Sequence, residues 1–149
     1  MYDARIEQAI VIDAPASVVW ENLTRIELMK EWMGDPEMAL EIETDWTVGH
    51  QIVISGFHHV RFKNRGRVVA FEPMQRLAYT HLSSLSRLPE VPGSYTMLEF
   101  TLAAVNRATA LQFQASGFPT ESIFKHLQFY WGGTLPVLKR TIEQRVSSV

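Results

Sequence analysis

Tyr79 and His81 are the two residues of this sequence whose types and spacing best suit chemistry. They alternate with Leu77, so on a strand a phenol and an imidazole share one face, roughly 7 Å apart. Facing an enclosed space, the two could hydrogen-bond a ligand or move a proton. The opposite face would present Ala78, Thr80 and Leu82, and the sequence does not choose between the faces. A histidine held by ordinary structural contacts is the plainer reading.

The other four histidines suggest no metal. His58 and His59 are adjacent, so they point to opposite faces of a strand or are both solvated in a turn, and no HxH, HxxxH or HExxH spacing occurs. His50 follows Gly49 at a turn and His126 stands beside Lys125, both surface settings. Glu41, Glu43 and Asp45 alternate with Leu40 and Ile42, which take the core face, so the acids read as the wet side of a strand. Arg61, Lys63, Arg65 and Arg67 form a basic stripe by the same logic, with Gly66 as a candidate bulge that re-phases the last arginine. Neither a glycine-rich phosphate loop nor a serine nucleophile elbow is present, and the chain holds no cysteine for thiolate chemistry, disulfides or thiolate-bound zinc. No catalytic residue, metal site or cofactor is therefore assigned.

Trp32, Phe100, Phe113, Tyr130 and Trp131 have the best claim to function, as the lining of a pocket. Taken singly, each reads equally well as ordinary core. The collective case rests on the stretch Pro119 to Val149, where Phe124, Leu127, Trp131, Leu135, Leu138 and Ile142 recur at helical steps and Ile123, Tyr130 and Val137 widen the stripe. Lys139, Arg140, Glu143, Gln144 and Arg145 hold the other side. Such a helix needs a large apolar partner. Gly132 and Gly133 each cost about 1 kcal/mol relative to Ala, and Pro136 lacks the N–H that would bond the carbonyl of Gly132. Because the apolar phase continues across them, one bent helix over a cavity is expected rather than two helices, with Tyr130 and Trp131 as the roof.

The remaining elements follow from periodicity. Residues 5–12 read as a strand, and Asp13-Ala14-Pro15 starts a helix with the proline at its first position. A second short helix covers about 26–33 and ends at Gly34-Asp35-Pro36. Strands follow near 40–44, 50–57, 60–72, 76–82, 94–104 and 108–116. Leu98, Phe100 and Leu102 answer Leu111, Phe113 and Ala115 across the last pair. Short connections between consecutive strands imply an antiparallel meander, so the fold class is α+β: a curved seven-stranded sheet with helices on one face. A helix laid in such a curl seldom fills it. The expected mouth is the long connection Ser83 to Gly93, with Pro89 and Pro92.

The composition bounds these readings. At 149 residues, with 46% hydrophobic and 20% charged content, the chain makes one globular domain and excludes an extended disordered protein. A net charge of −2 argues against nucleic acid as main partner. No run of 18 apolar residues spans a membrane, and Asp3, Arg5 and Glu7 stand where a signal peptide needs an apolar core, so a cytoplasmic protein is expected.

The order of elements and several stretches resemble the START-like (SRPBCC) helix-grip superfamily, which includes polyketide cyclases and the Aha-type activators of a heat-shock chaperone ATPase. The Aha-type branch of small bacterial proteins is the nearer resemblance. It is carried by Ala14-Pro15-Ala16-Ser17-Val18-Val19-Trp20 leading to Glu31-Trp32-Met33, by Trp46-Thr47-Val48-Gly49, and by Gly66-Arg67-Val68-Val69 with Phe71-Glu72-Pro73. Arg76-Leu77-Ala78-Tyr79-Thr80, Ser116-Gly117-Phe118 and Trp131 through Glu143 complete it. The resemblance implies a cavity between sheet and long helix that holds a small hydrophobic or lipid-like molecule, and it implies no shared catalytic motif.

The expected ligand contacts are Trp32, Tyr79, His81, Phe100, Phe113, Leu127, Tyr130, Trp131 and Leu135. An enzyme of the cyclase or dehydratase kind is the alternative. Chaperone contact ranks third, since such activators commonly carry a further N-terminal domain whereas this chain starts its first strand within ten residues. A homodimer through an edge strand fits the pattern without being specified by it.

Overall fold

A computed structural model describes residues 2–147. Strand β1 (Ile6–Ile12) is followed by α1 (Ala16–Thr24), α2 (Ile26–Met33) and a 3-10 turn at Pro36–Met38. Six strands come next: β2 (Glu41–Glu43), β3 (Gln51–His58), β4 (Val60–Glu72), β5 (Arg76–Ser83), β6 (Thr96–Val105) and β7 (Ala108–Ser116). Helix α3 (Glu121–Ser147) closes the series. The last two positions of the expected terminal helix, 148 and 149, lie outside the described residues.

All neighbours pair antiparallel in the order β1-β7-β6-β5-β4-β3-β2, so the first strand joins the last. The sheet curves around α3 and completes the helix-grip arrangement expected from the sequence. Phe100 pairs with Phe113, Leu98 with Ala115 and Leu102 with Leu111, the register that the alternation of apolar side chains requires.

Several local expectations are corrected. Pro15 occupies the N-cap of α1 rather than its first turn, in extended backbone, with its carbonyl accepting from Val18 and Val19 at 3.0 and 3.1 Å. The β4–β5 register shift falls between Val68 and Ala70, not at Gly66, and Arg61, Lys63, Arg65 and Arg67 all stay on the outer side. Gly66 has another reason to be glycine. A Cβ there would lie 1.6 Å from the Thr80 carbonyl oxygen, so only a residue without a side chain allows the two strands to approach.

Helix α3 runs without interruption through Gly132, Gly133 and Pro136, and all three face outward. The freed carbonyl of Gly132 therefore lies on the helix's exposed side. A Cβ on Gly133 would meet nothing within 4 Å, and on Gly132 its nearest neighbour would be the Gln8 amide at 3.5 Å. The glycines do not face the interior.

The polar side of α3 also departs from expectation, because much of it is bonded to the rest of the protein. Lys139 donates to the Val11 carbonyl at 2.5 Å and pairs with Glu143 at 2.7 Å. Glu143 accepts the Asp13 backbone N–H at 2.8 Å. Arg145 bonds Asn22 Oδ1 at 2.8 Å and pairs with Glu31, tying α3 to α1 and α2.

Candidate functional site

The face of β5 that the sequence left open is settled by what its residues touch. Tyr79 packs on Phe100 and Trp46, with ring centroids 6.4 and 6.2 Å away, and His81 lies within electrostatic reach of His126 on α3. Leu77, Tyr79 and His81 therefore line the interior face, while Arg76 bonds Glu99 and Glu72 on the outer one.

Trp131 is the hub. Its ring stacks on Phe113 at 4.6 Å, meets Phe100 edge-on at 5.6 Å and lies 6.3 Å from Trp32. Tyr130 stands nearly perpendicular to it at 5.1 Å. Offset and edge-on contacts at these distances are the favourable aromatic geometries. Leu127 and Leu135, one turn to either side of Trp131, are buried in the same cluster. The nine expected ligand contacts thus come from β5, β6, β7, α2 and α3 and form one wall, with His81 and Tyr130 half-buried and the other seven buried.

Two polar atoms on this wall are already engaged. Trp32 Nε1 donates to the Asn22 carbonyl at 2.8 Å, and the Tyr130 hydroxyl donates to the Met33 carbonyl at 2.5 Å. These bonds hold α2 against the interior and fix both rings. Burial pushes the Tyr130 hydroxyl up to about 12, partly offset by Thr134. Burial also raises Tyr79 strongly, with Tyr130 adding to it. His81 is partly buried by area, and its ring sits deep enough that burial, assisted by His126, brings it down to about 4. At neutral pH the Tyr79 and His81 side chains are therefore both uncharged.

Two aromatic neighbours escaped the sequence reading. Trp46 donates from Nε1 to the Thr24 carbonyl at 2.7 Å and stacks on Phe71 at 5.6 Å, and Phe71 in turn packs on Trp20 at 5.2 Å. Trp46 has a positive φ of 55°, which breaks the strand period that would have marked it as inward-facing. The Asp45 side chain, which holds the turn beside it through the Thr47 N–H at 2.9 Å, was the available signal.

The residues set aside for metal or acid–base work stay apart from this wall. His58 and His59 form the tip of the β3–β4 hairpin with rings 4.6 Å apart, both exposed. His50 pairs with Asp45 at the surface, at 2.8 Å. Among the described residues no three His, Asp or Glu side chains are grouped to hold a metal ion. Two surface depressions, of about 370 and 450 Å³, lie along the outer side of α3 and beside the Asp45–His50 pair, and neither contains an expected ligand contact. No helix among the described residues is long and apolar enough to cross a membrane.

Residues 13–143 match the protein family described as "Activator of Hsp90 ATPase homolog 1-like protein". Among solved structures, a protein of Cytophaga hutchinsonii is 30% identical with a TM-score of 0.79, each chain covering 99% of the other. The Aha1 dimer from Colwellia psychrerythraea is 21% identical with a TM-score of 0.74, over 94% of this chain and 96% of that one. DynU16, described as a putative protein in the dynemicin biosynthetic locus, is 22% identical with a TM-score of 0.72, over 95% of this chain and 48% of that one. No curated protein matches the chain by sequence.

Proposed function

Since the chain belongs to the family of Activator of Hsp90 ATPase homolog 1-like proteins, we propose that it binds one small hydrophobic, aromatic or lipid-like molecule between the inner face of the sheet and α3. What supports the reading is the composition of the wall around Trp131. Rings and aliphatic side chains converge there from five elements, and none of the nine carries a charge at neutral pH. A concave apolar lining with a few polar groups is the usual chemistry of a small-molecule site. Phe100, Phe113 and Trp32 form its floor, Leu127, Tyr130, Trp131 and Leu135 its helical side, and Tyr79 and His81 its polar end. No cofactor is required, and a single cytoplasmic domain suffices.

Native mass spectrometry of freshly purified protein tests this directly, because a retained adduct reports the mass and class of the ligand. Absence of adducts, together with no thermal shift across a broad panel of lipids and aromatics, would sink it.

A cyclase- or dehydratase-like activity is the second reading, favoured by the inward placement of Tyr79 and His81. It needs both side chains within hydrogen-bond reach of a bound substrate. Turnover that survives Tyr79→Phe and His81→Phe would remove it. Stimulation of a chaperone ATPase is suggested by the family description alone and ranks third; an ATPase assay without stimulation disposes of it.

A further inference from the structure

The Tyr79 hydroxyl, like Trp131 Nε1, is a polar atom of the wall that packing leaves unexplained. Its side chain is only 3% exposed, yet it takes part in no hydrogen bond among the described residues. Its counterpart Tyr130 spends its own hydroxyl on the Met33 carbonyl. No fully sealed polar side-chain atom among the described residues lacks a partner, so the unpaired Tyr79 oxygen must border a residual opening. A buried hydroxyl without a partner is costly unless something reaches it. His81 stands two residues along the same face and is likewise not hydrogen-bonded.

Resting on the binding site proposed above, we infer that Tyr79 and His81 are its polar recognition end, and that they select an uncharged aromatic ligand bearing hydroxyl or carbonyl oxygen over a plain hydrocarbon or a carboxylate. The phenol O–H can donate to a carbonyl, or accept from a hydroxyl. A neutral imidazole offers one donor and one acceptor. Spaced roughly 7 Å apart on alternate strand positions, the two would reach different atoms of the ligand.

Charge decides against an acid. His126 is the titratable group that acts on His81, and Tyr130 the one that acts on Tyr79, so among the described residues no arginine or lysine acts on either to neutralise a carboxylate. A buried anion would have to protonate His81, which its surroundings resist, or remain unpaired in a ring-lined interior. A fatty acid therefore fits this end poorly, while a phenol or quinone fits it well.

Three probes of one shape test the inference at neutral pH: naphthalene, 2-naphthol and 2-naphthoate, titrated while following tryptophan fluorescence. 2-Naphthol should bind roughly tenfold more tightly than naphthalene, as a well-made hydrogen bond allows, and 2-naphthoate should bind more weakly than 2-naphthol. Tyr79→Phe removes a single oxygen and should abolish most of that preference, with circular dichroism and the melting temperature certifying that the variant is folded. His81→Phe should act in the same sense. Equal binding of naphthol and naphthalene, a preference that survives Tyr79→Phe, or naphthoate as the tightest probe would each overturn the inference and leave the apolar site standing. If none of the three binds, the proposed site and the inference fall together.

Discussion

Trp131 shows how far a single residue could be read. Its helical spacing marked it as inward, and the structure seats it against Phe113, Phe100 and Trp32. Trp131→Ala should cost about 3 to 5 kcal/mol, measured by denaturant unfolding. His81 makes a prediction of opposite kind, through protons. Its folded value of about 4 lies below the ordinary histidine value of 6.5. The unfolded chain therefore binds a proton first as pH falls, and the native state loses stability from about pH 6.5 down to about 4, below which the loss levels off. The linkage ceiling is about 3 kcal/mol, lower in practice because the side chain is partly solvated. Melting temperatures followed from pH 7 to 4 should show this slope, and His81→Phe should flatten it. Periodicity placed Tyr79 and His81 together but was silent about which side of β5 met α3, because Ala78 and Leu82 are buried as well.

At the scale of elements, strand phases were legible because period-two alternation follows from one dry face and one wet one. The shift at Val69 was not, since Val68, Val69 and Ala70 carry no turn signal. Gly66 was noticed for the wrong reason. Gly66→Ala should destabilise by about 3 kcal/mol or more, since its methyl meets a backbone carbonyl that cannot swing aside. The same local reading failed at α3 in the other direction. Low helix propensity at Gly132 and Gly133 suggested a bend over the ligand, whereas Gly133 faces open space and Gly132 only the Gln8 amide. Gly132→Ala and Gly133→Ala should each raise stability by up to about 1 kcal/mol. Ligand affinity should be unchanged in the same proteins, and a tenfold loss would restore the glycines to the site.

Over the whole molecule, the two sheet edges are protected differently. β2 is three residues long and begins and ends with the exposed Glu41 and Glu43, which discourages pairing with another chain. β1 is longer, and α3 guards its outer end: Lys139 occupies the Val11 carbonyl and Glu143 the Asp13 N–H. Charged residues on a helix's polar side looked like a solvated surface because sequence spacing cannot show which strand lies beside them. Replacing both Lys139 and Glu143 with Ala should expose that edge, and sedimentation should then show stronger concentration-dependent association than in the parent protein.

The strand order carries a consequence in time. Because β1 lies beside β7, residues 6–12 have no sheet partner until residues 108–116 exist, and the bonds that seal β1's outer end come from α3, later still. On the ribosome, at about 5 to 20 residues per second, the earliest strand waits for several seconds or more while the meander from β2 to β7 assembles without it. Folding should therefore be slow for a chain of this length, with closure of the β1–β7 ladder as its late step. During synthesis Ile6, Ile10 and Ile12 are the apolar surface left for chaperones, or for another nascent chain, to find.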